Sequence, residues 1–347
     1  MLPAFRTQRS AVGFCVALAG LLLLPVIIRP FGLLPRSHAF EGMRTEAGPV
    51  GWTAKILAEK QGSVDILFLG SSILRAAVVP AEVEKALAAH EGRPVKVLTL
   101  GFNWQGLDIQ YFLLRDFLAG HNLRMAVWTM PLRQNTSDQP HVEAYRWYGF
   151  GDYSDVVDRL PLASRVSLYS DAVLGGPLRI WNVFRPPRFL PAERLPEVEL
   201  SRTGYYGAPF VAEPTEPPSM GSEGAVFPAS PCASVAVTGP PLGPYQMNFA
   251  RAIVGLLRER GVPLVLLHIP IDDEYGEHDI PERMSWDRAL GADAPLVGIP
   301  AAILFGEIGK DRYLHYFRDQ HLNANGQALF TKAIIPPLVS LFAKQTH

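Results

Sequence analysis

Residues 64–74 read VDILFLGSSIL. The first seven, Val64 to Gly70, are apolar at both odd and even positions apart from Asp65, as a short strand buried on two faces requires. The run then breaks on Gly70-Ser71-Ser72. Working outward, three more runs have the same form: VKVLTLG (Val95 to Gly101), MAVWTMP (Met125 to Pro131) and VPLVLLHIP (Val262 to Pro270). Helical patterns lie between them. AEVEKALAAH (Ala81 to His90) follows Pro80, a helix-opening residue, and GLDIQYFLLRDFLAG (Gly106 to Gly120) and YQMNFARAIVGLLRERG (Tyr245 to Gly261) carry helical spacing. Strands that alternate with helices predict an α/β fold, a parallel sheet between two helix layers. The final segment, ANGQALFTKAIIPPLVSLFAK, reads as a helix that Pro336 and Pro337 should kink or divide.

The chain has 347 residues and a formal net charge of -1. That balance gives no basic face for nucleic acid. The cysteines, Cys15 and Cys232, lie in an apolar run and a Pro-rich stretch, so no disulfide framework and no Cys-based metal site follow. Residues 11–28, AVGFCVALAGLLLLPVII, carry no charge. At about 1.5 Å per residue they span roughly 27 Å as a helix, close to the ~30 Å hydrocarbon core. The expected layout is a short cytoplasmic tail at 1–10, a transmembrane anchor at 11–28, a juxtamembrane linker at 29–61 and a catalytic domain at 62–347 outside the cytoplasm. Cleavage as a signal peptide at Ser37-His38-Ala39 is the competing expectation.

Between residues 134 and 244 the alternation collapses into Pro, Gly and aromatic residues, a long irregular insert. Its first part, with Tyr145, Trp147, Tyr148, Phe150 and Tyr153, either lines a carbohydrate cleft or packs the insert onto the sheet. The part from Glu213 to Ala233 reads as a mobile loop.

Two short motifs carry chemistry. Ser72 follows a strand and precedes a helix, and ligands in open α/β sheets bind beyond the C-terminal ends of strands. A serine nucleophile needs a base, and a histidine base needs a carboxylate to orient it. RDQHLNANGQALF (Arg318 to Phe330) supplies Asp319 and His321 before the last helix, while a plain surface loop with Asn323 or Asn325 as helix cap is the alternative. His268 ends the fourth run at the same edge of the sheet and reads as structural. Asp272, Asp273, Glu274, Glu277, His278 and Asp279 follow it; such a carboxylate run is more often solvated than metal-binding, and no metal is expected.

FLGSS after the first strand, a Gly-rich block after the second, and Asp-x-His-Leu-Asn with a Gly five residues after the His together resemble the SGNH (GDSL-like) hydrolases. The resemblance covers the chain from about Ser63 onward, with the insert unaccounted for. It implies a three-layer α/β/α, flavodoxin-like fold and a Ser-His-Asp acyl enzyme without cofactor. Gly70-Ser71-Ser72-Ile73 matches the family's Gly-Asp-Ser-Leu block, which makes Ser72 the nucleophile, His321 its base and Asp319 the orienting carboxylate, with Asp311 in reserve. LGFNWQG (Leu100 to Gly106) matches the second block. Its glycine N–H, from Gly106 or alternatively Gly101, would then hold an oxyanion with the Ser72 N–H. The third block, Gly-x-Asn-Asp, is absent; TMPLRQN stands in its place, leaving Asn103 or Asn135 for the oxyanion. The last block is Asp-x-His where the family has Asp-x-x-His. Such departures resemble membrane-tethered relatives that modify envelope polysaccharides. The resemblance thus implies an esterase or O-acyltransferase acting on a glycan or acyl ester, working with a membrane-bound acyl-donating partner where it transfers. The rival from another class is a non-catalytic glycan-binding scaffold of an envelope polysaccharide assembly.

Overall fold

In the computed structural model, residues 7–28, 39–40, 43, 48–58, 62–130, 136–141, 143–147, 157, 160–170, 225–227, 242–280, 286, 289–290, 294–306, 308–318 and 320–345 are described. The chain divides into two compact units. One comprises residues 1–43 and 142–188, the other residues 44–141 and 189–347.

The larger unit is an α/β fold. Its strands are β1 (Gly62–Gly70), β2 (Val97–Gly101), β3 (His121–Thr129), β4 (Ala225–Phe227), β5 (Leu264–Leu267) and β6 (Leu296–Gly298). They form one sheet in the order β2-β1-β3-β5-β6-β4. All neighbouring pairs are parallel except β4–β6, so five parallel strands run 2-1-3-4-5 in their own chain order, with one antiparallel edge strand added. The antiparallel strand falls inside the stretch expected to be a mobile loop; the rest of 213–233 lies outside the described residues. Strand β6 is not anticipated from sequence. Its three residues, Leu-Val-Gly, are too few to show a period.

The helices of this unit include α2 (Val50–Ala58), α3 (Ser72–Ala77), α4 (Pro80–Glu91), α5 (Leu107–Gly120), α6 (Pro244–Glu259), α7 (Ala301–Phe305), α8 (Lys310–Leu314) and α9 (Ala324–Lys344). They flank the sheet, and strand parity assigns the faces. Ile66, Phe68, Met125, Val127, Val265, Leu267 and Val297 join one core with α3, α4 and α9. The intervening parity faces α5, where Trp128 Nε1–H donates to Gln110 Oε1 at 2.8 Å. Phe112 of α5 meets Phe249 of α6 at 5.7 Å between ring centroids. Burial on both faces is why these strands read as continuous apolar runs and not as alternation.

Helix α9 runs unbroken through Pro336 and Pro337, so of the two expected outcomes, kink or division, division does not occur. Each proline costs a backbone hydrogen bond. Burial of Phe330, Ile334, Leu338 and Phe342 offsets this at about 1.5–3 kcal/mol for each large apolar side chain. The same packing bears on the membrane expectation. Among the described residues the helix long and apolar enough to cross a membrane is the C-terminal α9, not the N-terminal one where the span is expected. Half of its span-length window is buried within the protein, so its apolarity has a core-packing cause. The expected linker at 29–61 also contains α2, which buries Val50, Thr53 and Ile56.

At the N-terminal edge of the sheet, buried Asp65 of β1 accepts from Arg93 Nη2 at 2.7 Å, Arg124 Nη1 at 3.0 Å and the Lys96 N–H at 2.9 Å. These donors outweigh burial, which acts alone to raise the pKa, and hold the carboxyl below its ordinary 3.8.

The smaller unit contains α1 (Gln8–Ile28), whose Val12, Phe14, Val16, Leu18, Leu21 and Leu23 are exposed. Its described apolar part, Gln8–Leu21, is shorter than a span. Elsewhere in this unit the Glu143 carboxylate pairs with buried Arg146, and the Phe40 and Trp147 rings meet edge to face at 5.6 Å. Trp147 is fully buried, which fits packing and not an open cleft; Tyr148, Phe150 and Tyr153 lie outside the described residues.

Candidate active site

Ser72 opens α3 immediately beyond the C-terminal end of β1. Strand order reverses between β1 and β3, and such switch points leave a crevice for ligands. The turn is tight because three chain segments crowd it. A Cβ on Gly70 would meet Thr129 Oγ1 at 2.6 Å, and one on Gly101 would meet Gly70 O at 2.3 Å. Ser71 caps α3 in an extended conformation with no side-chain capping bond, and it is buried. Ser72 is only half-buried. Its N–H belongs to the first turn of a helix, where backbone donors have no intrahelical acceptor.

His321 arrives from the other end of the chain. It starts β8 (His321–Leu322), which pairs antiparallel with β7 (Phe317–Arg318). The next residues pin this hairpin. Asn323 caps α9, its Oδ1 accepting from the N–H groups of Asn325 at 3.0 Å and Gly326 at 3.1 Å. Its own N–H donates to Tyr316 O at 2.9 Å and its amide to His315 O. A side chain at Gly326 would strike Tyr316 O at 2.6 Å, so the glycine five residues after the histidine is a close-approach site. Helix α9 is bonded to α3. Thr331 Oγ1 accepts from the Val79 N–H at 3.0 Å and donates to Ala77 O at 3.2 Å, while Gln327 Nε2 donates to Arg75 O at 3.3 Å. The outcome is that His321 Nε2 lies 2.8 Å from Ser72 Oγ, across 249 residues of sequence. With the proton on Nδ1, the hydroxyl donates to Nε2, the arrangement of a nucleophile and its base.

The β2–α5 loop, 102–106, forms the adjacent wall. Arg75, one turn beyond Ser72 and buried, donates from Nη2 to Asn103 Oδ1. This fixes the amide with its oxygen toward the guanidinium. Asn103 O receives His141 Nε2 at 3.0 Å. His141 is in turn held by its backbone N–H, which donates to Asp108 Oδ2 at 2.8 Å. Asp108 is fully buried and also accepts from Tyr245 Oη at 2.8 Å and the Ile109 N–H at 2.8 Å. Burial pushes its carboxyl above the ordinary range, against the lowering pull of His141 and these donors. Burial, together with the Asp108 charge, raises the Tyr245 phenol. Gly106 sits between this carboxylate and His141, each about 2.7 Å from where a Cβ would be. Of the two candidate glycines, Gly101 therefore abuts the Gly70–Ser71 turn, while Gly106 abuts Asp108 and His141.

The other expected residues fall as follows. Asp319 and Asn135 lie outside the described residues. Asp311 is exposed on α8. His268, just beyond β5, is fully buried, with Nε2 3.1 Å from Glu274 Oε2, an ion-pair distance without a hydrogen bond. Burial, with the nearby charges of Glu274, Asp272 and Asp273, raises the Tyr313 phenol, and Tyr313 Oη donates to Ile271 O. This acidic turn is thus tied to the core. Among the described residues no group of three or more His, Cys, Asp or Glu side chains is arranged to hold a metal. Sequence reasoning missed Arg75, Asp108 and His141. Arg75 carries a detectable signal, a charge one turn into an otherwise apolar helix (SILRAA). His141 lies in the irregular insert and carries none.

Compared with known proteins, the sequence matches no family model and no curated protein.

Proposed function

We propose that this chain is a serine-dependent esterase or O-acyltransferase of SGNH type, built on a flavodoxin-like α/β/α sandwich and acting on acyl esters of a cell-envelope polysaccharide. The observation that carries this is the 2.8 Å contact between Ser72 Oγ and His321 Nε2 at the carboxyl edge of the sheet. Ser72 Oγ attacks the ester carbonyl while His321 Nε2 takes its proton. The oxyanion is held by the Ser72 N–H with donors of the β2–α5 loop, Gly106 and Asn103 being the assigned pair. Collapse breaks the C–O bond, His321 returns the proton to the leaving alkoxide, and the acyl group remains on Ser72. Water or a sugar hydroxyl, deprotonated by His321, then attacks that ester and releases Ser72. The Asp-x-His motif is the support for assigning Asp319 the role of orienting His321.

The location that goes with this function is a single N-terminal anchor, α1, with the catalytic domain outside the cytoplasm. Its support is the uncharged run 11–28 and the exposure of the α1 side chains. The rival span, α9, is bonded to α3 and half buried, so moving it into lipid would dismantle the site. A reporter active only outside the cytoplasm, fused after His347, should be active; an inactive one reverses the topology.

The chemical test uses the full chain in detergent. An aryl acetate should be hydrolysed, and a serine-reactive phosphonate should label the protein once. Ser72→Ala should abolish both, and His321→Ala should be about as damaging to turnover, since residues acting as a unit fail together. Ser71→Ala should retain most activity. If Ser72→Ala keeps parental turnover and labelling, the reading is wrong and a glycan-binding scaffold takes its place.

A further inference from the structure

Trp104 lies on the loop beside Ser72 in a conformation that the fold itself does not call for. Among the described non-glycine residues it alone has positive φ, 61°. That region is costly for a bulky aromatic side chain and persists only where the surroundings enforce it. Here they do. Asn103 is bonded at its side chain by Arg75 and at its carbonyl by His141, and the His141 ring backs the indole at 6.1 Å between centroids. Yet Trp104 is 49% exposed, so the strain is not offset by core burial. The register Gly70↔Gly101 puts the ends of β1 and β2 level, which places Trp104 three residues past one end and Ser72 two past the other.

We propose that Trp104 is the stacking platform of a glycan subsite at this active site, taking the apolar face of a pyranose ring in the acylated chain. The inference deepens the acyl-enzyme reading and rests on it for the identity of the neighbouring nucleophile. The chemistry favours a sugar over an acyl tail. The C–H groups of one pyranose face, polarised by ring oxygens, pack on an electron-rich indole. The hydroxyls at the rim of the ring need hydrogen-bonding groups, and the residues on either side of Trp104 in the chain, Asn103 and Gln105, both carry amides. A lipid tail would need an apolar groove continuing past Trp104. A nucleic-acid base would bring phosphates, for which a chain of net charge -1 offers no basic face.

The test has a binding arm and a kinetic arm, both on the full chain in detergent. In the Ser72→Ala chain, partially O-acetylated xylo- and manno-oligosaccharides are titrated while indole emission is read. At least one should give a saturable change that Ser72→Ala/Trp104→Phe reduces and Ser72→Ala/Trp104→Gly removes. In the parent background, Trp104→Ala should lower kcat/KM on that oligosaccharide acetate tenfold or more, chiefly through KM. The loss on a small aryl acetate should be severalfold smaller, and Trp104→Phe should recover part of the difference. Trp104→Gly relieves the backbone, so it should melt no lower than the parent while losing the oligosaccharide preference, which separates binding from misfolding. Equal losses on both substrates, or no saturable change with any oligosaccharide, overturn the proposal. Absence of aryl acetate turnover in the parent, with oligosaccharide binding intact, instead strikes the acyl-enzyme reading and leaves the platform standing.

Discussion

Replacing Gly101 by Ala tests the claim that the position of Ser72, the proposed nucleophile, is set by backbone packing between β1 and β2. An added Cβ would lie 2.3 Å from Gly70 O and 2.9 Å from Gly70 C. Real Cβ contacts do not fall below 3.0 Å, so the Gly70 carbonyl must retreat by at least 3.0 − 2.3 = 0.7 Å. Neither partner is a flexible side chain, and the two strands are held in register along the ladder from Ile66↔Val97 to Gly70↔Gly101. The displacement is therefore absorbed at the strand ends, in the Gly70–Ser72 turn. Overpacking of this kind costs about 1–3 kcal/mol. At 2–4 °C per kcal/mol for a domain of this order, Tm should fall by roughly 2–12 °C. Activity should fall further than stability implies. A shift of about 0.7 Å is enough to break the 2.8 Å contact between Ser72 Oγ and His321 Nε2, and misplacement on the order of 1 Å costs about 10²-fold in rate. The assay is aryl acetate hydrolysis well below the melting transition, with a thermal melt of the same sample. Gly255→Ala is the matched control: it makes the same chemical change inside α6, where a Cβ meets nothing within 4 Å. It should stabilise by about 0.5–1 kcal/mol through the unfolded chain and leave kcat/KM alone. If Gly101→Ala retains parental kcat/KM, the turn is not positioned by that approach and the reasoning fails.

Gln246→Ala should destabilise by about 2–4 kcal/mol, because the fully buried amide takes the Leu107 N–H at 2.8 Å and donates to Ser137 O and Gln139 O; a loss below 1 kcal/mol in denaturant unfolding counts against it. Thr331→Val keeps the shape of the α9–α3 contact but orphans the Val79 N–H and Ala77 O, so it should cost about 1–3 kcal/mol and lower kcat by loosening His321 against Ser72; unchanged stability and kcat would refute the coupling. Asp65→Asn should lower Tm at neutral pH. The depressed folded pKa means the carboxylate's contribution is fully present above about 3.8 and is lost as pH falls through the lower folded value. The melting gap between parent and variant should therefore close on acidification, and a gap that widens instead contradicts the assigned ion pairs.

Much of the scaffold is legible because burial on two faces writes itself into composition. Four of the five parallel strands are found from apolar runs alone, and Pro80, Gly120 and Gly261 mark helix ends within a residue or two. The failures have physical causes. Strand β6 is three residues long and β4 is an edge strand within a Pro-rich insert, so neither has a period to detect. The unbroken passage of α9 through two prolines is a tertiary effect, since only core contacts at Ile334, Leu338 and Phe342 can offset the lost bonds. In the site, Ser72 and His321 are readable because each lies where a strand or hairpin meets a helix and carries a reactive group. Arg75, Asp108 and His141 act by holding others, and such roles depend on neighbours that no local pattern names.

The two edges of the sheet divide the work. At the N-terminal edge, the Asp65 charge is paired with Arg93 and Arg124 and takes the Lys96 backbone N–H, which suits stability. At the carboxyl edge the polar groups are staged instead. Asp108 holds His141, His141 and Arg75 hold Asn103, and this loop stands beside a serine left half-exposed with His321 Nε2 2.8 Å from its hydroxyl. The serine and the histidine enter from opposite ends of the chain and share no local structure. Their contact exists only once α9 has docked on α3 through Thr331 and Gln327. A hydroxyl and an imidazole brought together merely by surface chance would not need an asparagine cap, a close-approach glycine and a buried threonine to fix the imidazole. The number of constraints aimed at one 2.8 Å contact is what supports the proposed catalytic pair over a surface loop.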